Sequence, residues 1–168
     1  SRGRDRLFRM GGAGVGEGVE GSAAARIRRV LGPSPRPVLV VPGAPRRLER
    51  AVLAYDGSPK ADEALFVATY AAKAWGLEVS VVTAHERRRR GRQVLKRACR
   101  YFGERGVEVR AVANRGGAAD AISESVEVFH ADLVIMGGYG FAPVLERVLG
   151  STVDRVLRES SVPILVCR

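Results

Sequence analysis

Hydrophobic positions along the chain follow two alternating rhythms, short apolar runs and longer stretches with helical spacing. The runs are Val38–Val41, Arg50–Tyr55, Leu77–Ala84, Val107–Val112, Leu133–Met136 and Ile164–Cys167. Between them, Ala61, Ala64, Leu65, Ala68, Ala71, Ala72 and Trp75 mark one face of a helix, and Val94, Leu95, Ala98, Tyr101 and Phe102 mark a second that reaches about Glu104. A third helix is predicted over Ala118–Phe129, with Ile122, Val126 and Phe129 on one face, and a fourth over Thr152–Glu159, with Val153, Val156 and Leu157. Strands apolar along their whole length are covered on both faces, and their alternation with helices predicts an open parallel α/β sheet, Rossmann-like, with helices on either side.

The punctuation agrees with this reading. Asp56-Gly57-Ser58-Pro59 closes the first run of the alternating series; Ser58 suits an N-cap, Pro59 the first helical position, and Asp62 and Glu63 the positive end of a helix dipole. Gly76 ends that helix directly before the next strand, a βαβ unit whose crossover should be right-handed. The densely basic stretch from His85 to Arg92 places positive charge where a helix start opposes it, so it is expected as a solvated, loop-like segment.

The stretch around which the rest is organised is ADLVIMGGYGFAPVLERVLGS, residues 131–151. A buried strand ends abruptly at Gly137-Gly138, Gly140 follows, and after nine more residues Gly150-Ser151 opens a helix. Glycines allow close backbone approach and helix N-termini favour anions, so the two glycine sites read as a phosphate cradle. An open α/β sheet binds ligands at the carboxyl ends of its strands, where the strand order reverses. Asp56 and Gly137 end two such strands.

Gly-x-x-Gly, nine residues, then Gly-Ser after an apolar strand resembles the signature of the universal stress protein family in its ATP-binding branch. The preceding Asp132-Leu133-Val134-Ile135-Met136 strand and the closing Val162-Pro163-Ile164-Leu165-Val166 strand resemble the family too, over roughly residues 49–168. The resemblance implies a five-stranded parallel sheet in the order 3-2-1-4-5, which makes the strands ending at Asp56 and Gly137 neighbours. It also implies bound ATP, with Mg2+. Asp56 would lie against the ribose or adenine, Ala84 would offer backbone to the adenine, and Met136 and Gly137 would line the nucleoside pocket. Gly140, Gly150, Ser151 and Thr152 would hold phosphates. Family members dimerise through the last strand, paired antiparallel with its twin.

Residues 9–41 add an internal repeat. RMGGAGVGEGVEGSAAARIRRV followed by Pro37-Val38-Leu39-Val40-Val41 matches IMGGYGFAPVLERVLGSTVDRVL followed by Pro163-Ile164-Leu165-Val166-Cys167. Gly11, Gly14 and Gly21-Ser22 stand where Gly137, Gly140 and Gly150-Ser151 stand, with six intervening residues in place of nine. Residues 1–44 therefore read as the C-terminal remnant of a first copy plus linker, and residues 45–168 as the complete nucleotide-binding domain. A start at Ser1 suggests an upstream portion. Val38–Val41 is expected to pair antiparallel with Ile164–Cys167, as in a homodimer or a tandem pseudo-dimer.

Composition narrows the function. The 168 residues carry a net charge of +10, but every basic residue except Lys60, Lys73 and Lys96 is arginine, which reads as GC-rich coding rather than a binding adaptation. A polyanion or nucleic-acid-binding protein using Arg87 to Arg92 is the main alternative, and no specific nucleic-acid site is expected. No apolar run is long enough to cross a bilayer and the N-terminus lacks the apolar core of a signal peptide, so a cytoplasmic protein is expected. Cys99 and Cys167 have neither metal nor disulfide-framework spacing and read as small core residues. His85 and His130 have no motif partner, and no catalytic constellation is visible. No Gly-Lys-[Ser/Thr] follows the glycines, which argues for slow ATP hydrolysis at most, and an adenylate-handling enzyme would need catalytic residues the chain does not display.

Overall fold

A computed structural model of the chain describes residues 27, 36–44, 47–85, 87–138 and 151–167. Its elements are β1 (Val38–Val40), β2 (Arg50–Ala54), α1 (Pro59–Trp75), β3 (Glu78–Ala84), α2 (Arg88–Gly103), β4 (Val109–Asn114), α3 (Ala118–Val128), β5 (Leu133–Gly137), α4 (Ser151–Glu159) and β6 (Ile164–Cys167). The sheet order is β1-β6-β5-β2-β3-β4. From β4 to β6 the strands are parallel, in the 3-2-1-4-5 order of the alternating series.

The expected five-stranded parallel sheet is corrected in one respect. It has six strands and is mixed, because β1 joins antiparallel to β6 with Val38 opposite Val166, Leu39 opposite Leu165 and Val40 opposite Ile164. The physical reason is the composition of β6: Ile, Leu and Val at an unpaired edge would leave backbone groups and apolar surface open.

Alternation along each strand separates two cores. Ala51, Leu53, Val79, Val81, Leu133 and Ile135 pack with Ala64, Leu65 and Ala68 of α1 and Ala98 and Phe102 of α2. On the other face Val134 and Met136 meet Ala119 and Ile122 of α3 and Val153 and Val156 of α4, while Val52 and Val82 meet Ala121. Both faces are covered, and this is why the strands read as unbroken apolar runs.

Local chemistry sets the boundaries. Ser58 Oγ accepts from the Ala61 N–H at 3.2 Å, Pro59 opens α1, and Gly76 closes it at φ 70°, a left-handed conformation that favours glycine. Helix α2 begins at Arg88, inside the stretch expected to be a solvated loop. Arginine is a good helix former, and Gly91 lets the first turn settle onto the sheet: a Cβ there would lie 3.4 Å from His85 Cβ and 3.7 Å from Thr83 Cγ2. Strand β4 starts two residues later than expected, at Val109, because the Val107 N–H is held by the Phe102 carbonyl at the end of α2. At the opposite end of the sheet from the strand carboxyl termini, Asp132 accepts hydrogen bonds from the Glu49 and Arg50 N–H groups at 2.9–3.0 Å, and so fixes β2 beside β5. Among the described residues, no helix is long and apolar enough to cross a membrane.

Candidate nucleotide-binding crevice

Strands β2 and β5 are neighbours, yet the chain leaves them in opposite directions, to β3 and to β6, so their carboxyl ends part into a crevice. It has a volume of about 210 Å³ and is open to solvent on one side. Ala54, Tyr55 and Asp56 contribute from β2 and its loop, Val82, Thr83 and Ala84 from β3, and Met136, Gly137 and Gly138 from β5. The first turns of three helices complete the wall with Ser58, Lys60 and Ala61 of α1, Ala118, Ala121 and Ile122 of α3, and Thr152 and Val153 of α4.

Gly137 is required here by close approach. A Cβ on it would lie 2.6 Å from the Lys60 carbonyl carbon and oxygen and 3.0 Å from the Ala61 nitrogen, so α1 begins in direct contact with the end of β5. Gly138 is held in turn by its N–H, which donates to the Cys167 carbonyl of β6. A Cβ on Gly138 would meet that same oxygen at 2.9 Å.

The loop between β2 and α1 is fixed from both sides. Asp56 Oδ1 accepts from the Ser58 N–H at 2.9 Å, a turn-stabilising bond that still leaves the exposed carboxylate on the crevice wall. Behind it the buried Tyr55 hydroxyl donates to Asp62 Oδ1 at 2.7 Å. Asp62 Oδ2 pairs with Arg97 of α2, which also donates to the Gly57 carbonyl at 3.4 Å.

Burial, then the bond to Asp62, holds the Tyr55 phenol above its ordinary range, and burial with Glu63 nearby pushes the Cys167 thiol from 9.0 up to about 12. Both folded values exceed the unfolded ones, so this contribution to stability is present below about pH 9 and is lost as pH rises toward 12. The urea unfolding midpoint is expected to fall between pH 9 and 11, and less steeply in Cys167→Ala. A midpoint flat across that interval in the parent chain would contradict the buried thiol.

Of the residues that sequence reasoning singled out, Asp56, Ala84, Met136, Gly137 and Thr152 all line the crevice. Ser151 begins α4 beside Thr152. Gly140 and Gly150 lie outside the described residues, as do Gly11, Gly14 and Gly21-Ser22 of the repeat. Neither histidine lines the crevice: His85 Nδ1 accepts from the Arg87 N–H at 3.3 Å, and the His130 carbonyl accepts from Arg50 Nε at 2.9 Å. Cys99 is half-buried, Cys167 is buried, and both thiols are free.

Sequence reasoning missed Thr83, Lys60 and the α3 residues. Thr83 is only 2% exposed, and its hydroxyl has no hydrogen-bond partner although it belongs to a residue of the crevice wall. A buried hydroxyl without a partner is costly, and because this oxygen is itself closed to solvent the cost is internal to the fold. The available signal was its place beside Ala84 at a strand end. Ala118 was signalled by the Gly116-Gly117 turn before α3, which returns the chain to the carboxyl side of the sheet.

Known proteins share both the sequence and this architecture. The universal stress protein family model matches residues 84–168. A universal stress protein of Thermus aquaticus is 33% identical over 132 residues, covering 70% of this chain and 96% of the relative. A second, from Synechocystis, is 27% identical over 152 residues, covering 89% of this chain and 53% of the relative. The crystal structure of a universal stress protein from Archaeoglobus fulgidus superposes with a TM-score of 0.71 at 30% identity, covering 83% of this chain and 53% of that one. The chain thus spans about half the length of the Synechocystis and Archaeoglobus proteins. Two more distant structures share the fold: a universal stress protein in complex with cAMP (TM-score 0.63, 22% identity, 73% of this chain and 99% of that one) and an Arabidopsis thaliana family protein with AMP bound (0.54, 14%, 71% and 90%). With a family match over half its length and a Thermus relative covered almost end to end, the chain belongs to the universal stress protein family.

Proposed function

We propose that the crevice binds an adenine nucleotide, ATP with its Mg2+, and that the chain is a regulatory protein whose state is set by that nucleotide. One observation carries the reading: three helix N-termini and the glycine end of β5 converge on an apolar-walled crevice at the point where the strand order reverses. The helix starts favour phosphate, and the apolar walls suit a base. Support also comes from the family proteins with cAMP and with AMP bound, two adenine ligands that differ in their phosphate.

The described walls of the crevice are mostly apolar, which suits a nucleoside better than phosphates. Accordingly the adenosine part occupies the described walls, between Met136 and Gly137 on one side and Ala84 on the other, with Asp56 facing the ribose or adenine. Gly140, Gly150, Ser151 and Thr152 hold the phosphates, with Mg2+ bound among them. Hydrolysis is slow at most, since no Gly-Lys-[Ser/Thr] follows the glycines. The tandem organisation belongs to the same proposal, with residues 1–44 as the end of a first copy and 45–168 as the nucleotide domain, in a cytoplasmic protein.

Calorimetric titration with ATP tests the assignment. Ser151→Ala removes a charge-assisted hydrogen bond worth about 1.5–3 kcal/mol and is expected to weaken binding ~10-fold or more. Gly140→Val places a branched side chain where phosphate must approach. Undiminished ATP affinity in a folded Gly140→Val variant would overturn the site.

A further inference from the structure

Counter-charges are unevenly distributed over the surface. Arg47, Arg105, Arg110, Arg155 and Arg158 each sit in an ion pair with a carboxylate. On α2, Arg97 pairs with Asp62 and Arg100 with Glu104. Arg89, Arg90, Arg92 and Lys96 are exposed and make no ion pair among the described residues, and the first turn of α2 holds no acidic residue. These cations repel one another and oppose the positive end of their own helix, a cost that a bound anion relieves.

Their arrangement is linear. Leu95, Ala98 and Phe102 face the core, which leaves Arg89, Arg92, Gln93, Lys96 and Arg100 along the outward side. Arg89, Arg92, Gln93 and Lys96 line a shallow surface depression. At about 1.5 Å of rise per residue the successive cations stand ~4.5–6 Å apart along the axis, a spacing that long, flexible side chains can match to successive phosphates of a flexible strand. An ordinary solvated helix face mixes both signs of charge; this one is cationic from Arg89 to Lys96.

Aromatic side chains flank the seam between α1 and α2 beside this face. One turn beyond the Asp62–Arg97 pair, Phe66 of α1 meets Tyr101 of α2 with ring centroids 5.1 Å apart, and the Arg105 guanidinium lies 3.5 Å over the Tyr101 ring. Phe66 is 46% exposed, and Tyr70, a turn further along α1, is 67% exposed. Unpaired cations followed by exposed aromatic rings form the combination that holds a single strand, the cations on its phosphates and the rings under its bases. An acidic polypeptide or bare polyphosphate has no use for the rings.

We propose that the outward face of α2, continued by Phe66 and Tyr70 of α1, binds single-stranded nucleic acid through its phosphodiester backbone, without sequence preference. The surface is separate from the nucleotide crevice: none of Arg89, Arg92, Lys96, Phe66 or Tyr70 lines that crevice.

Fluorescence anisotropy of labelled oligo(dT) titrated with the full chain over a salt series tests this. The parent is expected to bind at low salt with log affinity falling linearly in log salt. Combined Arg89→Gln, Arg92→Gln and Lys96→Gln should cost at least ~10-fold and flatten the slope by about 2, at ~0.7 per phosphate contact on a single strand. Tyr70→Ala should weaken oligo(dT) binding ~5-fold or more by removing a stacked base. Combined Arg110→Gln and Arg158→Gln, which remove two positive charges elsewhere, should stay within about twofold. All these positions are exposed, so folding is preserved. Absence of low-salt binding, an equal loss in the Arg110/Arg158 variant, or an unaltered slope in the triple variant would overturn the surface. An unchanged Tyr70→Ala, or displacement by poly-glutamate as effective as by unlabelled oligo(dT), would overturn nucleic acid as its partner.

Discussion

Gly137→Val is expected to lower the thermal midpoint by roughly 6–12 °C and to abolish the proposed binding of ATP. The reason is a contact with backbone rather than with a movable side chain. A Cβ at this position lies 2.6 Å from the Lys60 carbonyl carbon and oxygen, distances at which something must shift. Two rigid elements share the strain, since β5 is paired on both sides by β2 and β6 and α1 is capped by Ser58 directly before the contact. Overpacking of this kind costs about 3 kcal/mol, and each 1 kcal/mol is worth ~2–4 °C in a chain of this length. Whichever element yields, the crevice deforms, because Lys60, Ala61 and Gly137 all line it. Calorimetry well below the lowered midpoint separates lost binding from lost folding. Gly103→Val supplies the comparison: an added Cβ there meets nothing within 4 Å, so both midpoint and affinity should stay close to those of the parent. Equal behaviour of the two variants would show that the contact between β5 and α1 does not shape the crevice.

How much of this was legible in the sequence differs by element. Strand β5 was read correctly because Leu133 to Met136 is apolar on both faces and Gly137 stops it. Helix α1 was read through its caps, Ser58 and Gly76. Strand order is another matter: no periodicity distinguishes 3-2-1-4-5 from other orders, and it was available only through the family resemblance. The start of α2 was hidden because charge density argued for a loop, while the deciding feature, the fit of Gly91 against Thr83 and His85, exists only once β3 and α2 are packed. Asp132 holds β2 through residues 82 and 83 positions away in the chain, beyond any local pattern. Thr83 was hidden more completely. It sits in a strand rich in β-branched residues, where one more threonine carries no signal, and only burial reveals that its hydroxyl lacks a partner.

Deleting residues 1–44 is expected to convert the protein into a homodimer or to precipitate it. Strand β1 now covers the β6 edge through the pairs Val38–Val166, Leu39–Leu165 and Val40–Ile164. It does more than occupy hydrogen bonds: Leu39 packs against the core on the α1 face and Val38 against the core on the α3 and α4 face. Removing β1 therefore opens a strand of Ile164, Leu165, Val166 and Cys167 together with apolar surface on both sides of the sheet. Such an edge pairs with whatever strand it meets. The partner of lowest cost is a second β6, because two identical edges related by a twofold axis run antiparallel and close into a dimer without leaving another free edge of the same kind. Deletion of residues 1–35 alone retains β1 and should leave the oligomeric state unchanged. Light scattering over a concentration series reads the difference, with the longer deletion approaching twice the monomer mass or aggregating while the shorter one follows the parent. A chain lacking residues 1–44 that stays monomeric and as soluble as the parent would show that β1 is not what protects the β6 edge.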